Sequence, residues 1–297
     1  MNGTRDILCI GSVLWDVIGR APYHMRLGAD VPGRIERIPG GVAMNIAMTL
    51  ARFGMKPALL TAIGRDAEGE ELLGAARAFG METGFVYRSD DLPTDRYMAV
   101  EGANGLIAAI ADAHSLERAG AKILAPLTDG RLGSTEAPYP GLIALDGNLT
   151  LTLLEEIAAG PAFARADLRV APASPGKAER LLPFLSHGGA VLYVNLEEAG
   201  LLCGRSFEGA EAAAEALIGR GAARVLVTNG AAPAAEGTAA GVSVAQPPEV
   251  MVTRVTGAGD TFMAAHIAAE ARELAGAAAL QAALDAAAAY VSGEAGT

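Results

Sequence analysis

From residue 142 onward the chain repeats one unit: a short apolar run, then a stretch with helical periodicity. The runs at 142–145, 168–171, 191–194 and 225–228 each predict a buried strand followed by a helix. A strand, a helix and a second strand in succession return as a parallel pair with the helix on one face of the sheet. The repeat therefore predicts an α/β fold with a mostly parallel central sheet covered by helices on both faces. In such a sheet, binding groups gather at the carboxyl ends of the strands. Asp146 with Asn148, Asn195 with Glu198, and Thr228 with Gly230 all fall at those ends.

The first third of the chain is less regular. Residues 7–10 read as a buried strand ending at Gly11, a few positions before Asp16, and residues 31–38 alternate loosely, as on an exposed sheet. Pro39-Gly40-Gly41 then turns into a helix that carries Asn45 and stops at Gly54. A strand is expected over 58–63, and Gly64-Arg-Asp66-Ala-Glu-Gly69 opens a helix to about residue 79. Residues 96–100 and 106–110 flank Asn104-Gly105, a hairpin signal that interrupts the βα rhythm. Segments within about 12–38 and 94–112 are expected to form a small β lid on a single domain over 1–297. The loop at 128–141 carries no motif that assigns it a role.

The net charge of −11 argues against a surface that coats nucleic acid, though not against a nucleotide pocket built from local donors. No apolar run is long enough to span a bilayer, and the first residues lack a basic-then-apolar leader, so a soluble cytoplasmic protein without membrane partners is expected. Cys9 and Cys203 sit inside apolar segments and read as reduced core residues, while four scattered histidines make a zinc site improbable.

The chemistry concentrates in Val252-Thr-Arg-Val-Thr-Gly-Ala-Gly-Asp260. An apolar β-branched run meets Gly257-Ala258-Gly259, and Asp260 opens a long alanine-rich helical pattern. Glycines at a strand-to-helix turn let backbone amides converge at the positive end of the helix dipole, where a phosphate binds well. An anion hole with a carboxylate beside it is what phosphoryl transfer to a hydroxyl requires. The plainer reading is an acidic residue that stabilises a glycine-rich helix start. Signatures of other chemistries are missing: Gly176-Lys177 is followed by Ala178, and the first strand is not followed by Gly-x-Gly-x-x-Gly.

Taken together, Gly40-Gly41-Val-Ala-Met-Asn45, Gly64-Arg-Asp66-Ala-Glu-Gly69, Asn195-Leu-Glu-Glu198 and Thr256-Gly-Ala-Gly-Asp260 resemble, in order, the ribokinase (PfkB) family of carbohydrate and nucleoside kinases. The resemblance implies a ribokinase-like three-layer fold with a β lid over the acceptor site. It implies that Asp260 deprotonates the acceptor hydroxyl, while the amides of Gly257, Ala258 and Gly259 stabilise the transferring phosphoryl group. Asp16, Gly40, Gly41 and Asn45 would hold the acceptor, and Thr228 and Gly230 would lie near ATP. Asn195 and Glu198 would position Mg²⁺ and phosphate, Glu198 through water. Local alternatives stand beside these roles: Asn45 as a first-turn helix residue, Glu198 as a solvated one, Asp16 as a turn closer and Trp15 as packing.

One position departs from the pattern. Many relatives carry an acidic residue six positions before the catalytic aspartate, where it helps hold a monovalent cation, and here that position is Arg254. A guanidinium cannot ligate K⁺, so K⁺-independent activity is expected. For the acceptor, residues 96–112, the Ser174-Pro-Gly-Lys177-Ala segment and Val255-Thr256 resemble the pseudouridine kinase subgroup. A ribokinase- or fructokinase-like sugar kinase is the alternative, and a non-catalytic sugar- or nucleoside-binding sensor is the alternative of another class. Relatives also contact adenine in the region of 286–297, and dimerisation through the lid is common among them.

Overall fold

Residues 5–294 are described by a computed structural model. The chain opens with strand β1 (Ile7–Ile10), β2 (Leu14–Arg20) and β3 (Arg34–Gly40), then helix α1 (Val42–Arg52). Next come β4 (Pro57–Leu60), β5 (Ala62–Gly64), α2 (Ala67–Ala78), β6 (Tyr87–Ser89) and the hairpin β7 (Arg96–Gly102) and β8 (Gly105–Asp112). After α3 (His114–Ala119) the alternation becomes regular: β9 (Leu142–Asp146), α4 (Leu151–Ala159), β10 (Asp167–Ala171), α5 (Leu182–Leu185), β11 (Ala190–Asn195) and α6 (Leu196–Cys203). Helix α7 (Ala210–Gly219) leads to β12 (Arg224–Asn229), β13 (Ala232–Thr238) and β14 (Gly241–Ala245), and α8 (Ala258–Ala271) and α9 (Ala277–Ser292) follow.

Eight strands form the main sheet in the order β14-β13-β12-β11-β10-β9-β1-β4, parallel from β12 to β4. Alternate residues of each strand enter different cores. Leu8 and Ile10 join Ile143, Leu145, Leu168 and Leu192 under α3 to α7, whereas Ile7 and Cys9 join Ala144 and Tyr193 under α1, α2, α8 and α9. The result is a three-layer α/β/α arrangement. β1 lies between β4 and β9, so the chain reverses its direction of travel across the sheet there. That reversal opens a crevice beyond the carboxyl ends of β1 and β9.

Three expectations need correction. The run over 58–63 is broken at Thr61: β4 stays in the main sheet, while β5 leaves to pair with β6. β12 is followed by the antiparallel β13–β14 hairpin instead of a helix, because Gly230, at φ 58°, turns the chain straight back. The residues before Gly257 form no strand. They run exposed along the end of α9, where the amides of Thr253 and Arg254 donate to Val291 O, so their β-branched side chains have no sheet edge to join.

A second sheet of four strands, ordered β3-β2-β7-β8, is built from the segments that flank the crevice. The register sets Asp16 opposite Ile38 and Tyr97, placing all three on one face. In the loop at 128–141, Tyr139 is buried in the larger core, so part of that loop is packing.

Candidate active site

Gly11 brings β1 over Asp146 at the end of β9. A Cβ at Gly11 would lie 2.3 Å from that of Asp146. Asp146 is fully buried and accepts hydrogen bonds from the Ser12 amide at 2.8 Å, the Ser12 hydroxyl and the Asn148 amide at 2.7 Å. Ser12 Oγ in turn accepts from the amide of Val42, at the start of α1, at 2.9 Å. This bridge explains Gly41: at φ 93°, any Cβ would strike Ser12 O at 2.5 Å. Gly40 answers to a different neighbour, since its Cβ would lie 2.0 Å from an Asp16 carboxylate oxygen. The two glycines therefore seat α1 and Asp16 against the crevice.

Asp16 is half-buried, and its carboxylate takes no hydrogen bond among the described residues. Burial raises its pKa to about 6. Trp15, beside it, points the other way: buried, it donates from Nε1 to Glu68 O at 2.9 Å and lies under Arg37. Its role is packing.

Asn45, one turn into α1, donates from Nδ2 to Asp260 at 2.9 Å, joining residues 215 positions apart. The Asn45 side chain therefore bonds across to Asp260 and not to its own backbone. Asp260 lies in the first turn of α8, which starts from Gly257 at φ 86°. Burial pushes its carboxyl up to about 7, the Asn45 bond opposes the rise, and the charges of Asp146, Asp16 and Glu198 add to it.

The amides around Asp260 differ in part from the expected set. Ala258 N donates to Val255 O at 3.0 Å, closing the turn. The amides of Gly257, Gly259 and Asp260 take no partner among the described residues. Asp260 thus replaces Ala258 in the set of three free donors at the positive end of the helix.

Asn195 and Glu198 form a capping box on α6: Glu198 N donates to Asn195 Oδ1 at 2.9 Å, and Asn195 N donates to Glu198 Oε2 at 2.8 Å. Glu198 is buried rather than solvated, and desolvation raises its pKa to about 7 against the pull of the Asn195 amide. Its other oxygen and Asn195 Nδ2 take no partner among the described residues, leaving one acceptor and one donor unused. Thr228 lies opposite Asn195 in the register. Gly230 serves the hairpin turn through its left-handed backbone at φ 58°; a Cβ there would meet nothing within 4 Å, so space places no demand on it.

These residues suit a nucleotide with a divalent cation. Asp260 lies in the field of three further carboxylates, Asp146, Asp16 and Glu198, so a polyphosphate here would be repelled unless a cation came with it. Among the described residues no group of three His, Cys, Asp or Glu side chains could hold a metal ion. A cation here would draw most of its ligands from phosphate and water, as Mg²⁺ does, with Glu198 as the nearby carboxylate.

A model of the pfkB family of carbohydrate kinases matches residues 4–297. The chain belongs to that family. It is 32% identical over 148 residues to an uncharacterized sugar kinase, YeiI, of Escherichia coli, covering 49% of this chain and 39% of that protein. It is 42% identical over 67 residues to the pseudouridine kinase of E. coli, covering 23% of this chain and 21% of the relative. The chain thus spans well under half of either relative. A carbohydrate kinase from Agrobacterium tumefaciens superposes with a TM-score of 0.79 at 27% identity, over 96% of this chain and 90% of its own. Arabidopsis thaliana ribokinase, solved with ribose and ATP, superposes at 0.74 with 19% identity, over 97% and 93%, and shares the ribokinase-like fold.

Ser12 and Lys177 were not singled out as site residues by the sequence. Ser12 has no motif of its own, but Lys177 lies in the Ser174–Lys177 segment and donates to Asn148 Oδ1.

Proposed function

We propose that this pfkB-family chain transfers the γ-phosphate of ATP to a hydroxymethyl group of a nucleoside, pseudouridine, giving the 5′-phosphate. The observation that carries the reading is Asp260, held by Asn45 at 2.9 Å beside the unpartnered amides of Gly257, Gly259 and Asp260. Asp260 accepts the proton of the acceptor hydroxyl, and the three amides stabilise the charge that builds on the phosphoryl oxygens. Asp16 accepts hydrogen bonds from the acceptor's other hydroxyls. Asn195 and Glu198 face the phosphates, and Thr228 borders the nucleotide. Bound Mg²⁺ neutralises charge on the phosphates.

Pseudouridine is preferred because of the 42% identical stretch shared with a pseudouridine kinase. The longer match to a sugar kinase supports the second reading, a ribokinase- or fructokinase-like acceptor. A screen of ribose, fructose, uridine and pseudouridine with ATP and Mg²⁺ separates them: phosphorylation of pseudouridine is expected, and turnover of ribose or fructose alone would reject it. Asp260→Asn should abolish turnover while the acceptor still binds by calorimetry. If the unaltered protein binds nucleoside without phosphorylating anything, the sensor reading replaces this one. Activity in buffer free of Na⁺ and K⁺ should match that with added K⁺. Ile35, Met98 and Ile110 present exposed apolar side chains on the four-stranded sheet, and we place a homodimer contact there. Sedimentation should then give a dimer that Met98→Glu dissociates.

A further inference from the structure

The turn that carries the three free amides is only partly buried, has no strand behind it, and starts from a glycine in a left-handed conformation. Backbone amides bind a phosphate well only if they are held still, so something outside the turn must fix it. Tyr290, near the C-terminal end of α9, lies directly beneath. Its hydroxyl donates to Thr256 O at 2.8 Å. The same hydroxyl closes off Gly257, where a Cβ would lie 2.6 Å from it. One phenol therefore touches both residues that lead into α8.

Tyr290 is itself clamped. The Arg254 guanidinium stacks 3.8 Å from the centre of its ring, and Arg254 Nε donates to Tyr290 O at 2.8 Å. Thr253 Oγ1 joins the amides of residues 253 and 254 on Val291 O, at 3.0 Å. The last carbonyls of a helix have no partners within it and favour a positive charge. Arg254 and its neighbours supply the partners and the charge together. The body of α9 packs along α8 through Leu280, Ala283 and Leu284 against Phe262, Met263 and Ile267. α9 thus grips α8 along its length and holds the turn at its start.

We propose that Tyr290, braced by Arg254, is a positioning residue for phosphoryl transfer, setting the peptides of Thr256 and Gly257 so that the amides and Asp260 converge. The role rests on the kinase reading above. Tyr290→Phe removes one oxygen without opening a cavity. Its kcat should fall about ten- to a hundredfold with the acceptor's KM unchanged, as expected when reacting groups are displaced slightly. Arg254→Gln, at an exposed position that folding tolerates, should lower kcat in the same direction. The double variant should be no worse than the poorer single, because both act through one contact. Wild-type kcat in either single variant overturns the role and leaves the kinase reading intact. A readout without turnover separates the two ideas: calorimetry with ATP and with ADP should show that Tyr290→Phe weakens ATP only. If the unaltered chain phosphorylates no acceptor but Tyr290→Phe still loses its preference for ATP, the kinase reading falls and the role in transfer falls with it, leaving Tyr290 a hold on the phosphate-binding amides only. Equal loss for both nucleotides overturns the positioning role.

Discussion

Asp260 shows how one residue takes its chemistry from distant parts of the chain. Its place in the first turn of α8 is local, set by Gly257 at φ 86°. Its raised pKa is not local: burial comes first, and the carboxylates that add to it come from β2, the end of β9 and α6. A base that is half protonated near neutrality should give kcat/KM an acidic limb centred near 7, the value its folded carboxyl holds. A rate profile flat from pH 5 to 8 would contradict this. The same shift has a stability consequence. A carboxyl raised from 3.8 to about 7 favours the folded state below its unfolded value, and that contribution is lost as pH rises through 7. Asp260→Asn should therefore melt above the unaltered protein at pH 8, and the gap should close toward pH 4.

At the scale of elements, capping and ligand-facing roles fall on the same side chains. Asn195 closes α6 with its oxygen and leaves its amide nitrogen without a partner among the described residues. The two jobs can be separated by substitution. Asn195→Ala should cost about 1 kcal/mol of stability. Asn195→Ser keeps a cap oxygen, so its melting temperature should stay near that of the unaltered protein while KM for ATP rises. If ATP affinity is unchanged in the serine variant, the free nitrogen has no role. Asp66 illustrates a motif that serves structure alone. It caps α2 through Gly69 N at 2.7 Å and takes both the amide and the hydroxyl of Thr94, fastening α2 to the chain that enters β7. Gly69 must be glycine there, since a Cβ would strike Gly64 O at 2.3 Å.

Across the whole molecule, α8 joins the site to a buried ionic network at the amino ends of the strands. Arg169 pairs with Asp167 and Glu270, Arg224 with Glu236 and Glu270, and Tyr193 bonds His266 at 2.9 Å. These contacts tie one helix to four neighbouring strands. Burial lowers the pKa of His266 to about 4; Glu270 opposes the shift, and both arginines reinforce it. A histidine depressed in this way leaves stability intact above its unfolded value of 6.5 and removes it as pH falls toward 4. Denaturation followed by circular dichroism should show stability falling through that window, with a shallower fall in His266→Gln. Identical slopes would exclude His266 as the titrating group.

The sequence by itself determined the layered α/β architecture, the order of the parallel strands' connections and the helical pattern opened at Asp260, because periodicity and glycine placement act over a few residues. It also brought Asp260, Asn195 and Glu198 into view, since each lies where a strand or turn meets a helix. Only the tertiary structure decided which groups meet. Gly40 is explained by the carboxylate of Asp16, Asn45 by a bond across 215 positions, and the free amides by the spending of Ala258 on Val255. Hydrogen bonds and steric contacts of this kind depend on how layers stack, and no local pattern encodes the distance between two layers. The same holds for the apolar stretch before Gly257: its residues have the propensity of a strand, but the nearest free acceptors were the carbonyls at the end of α9.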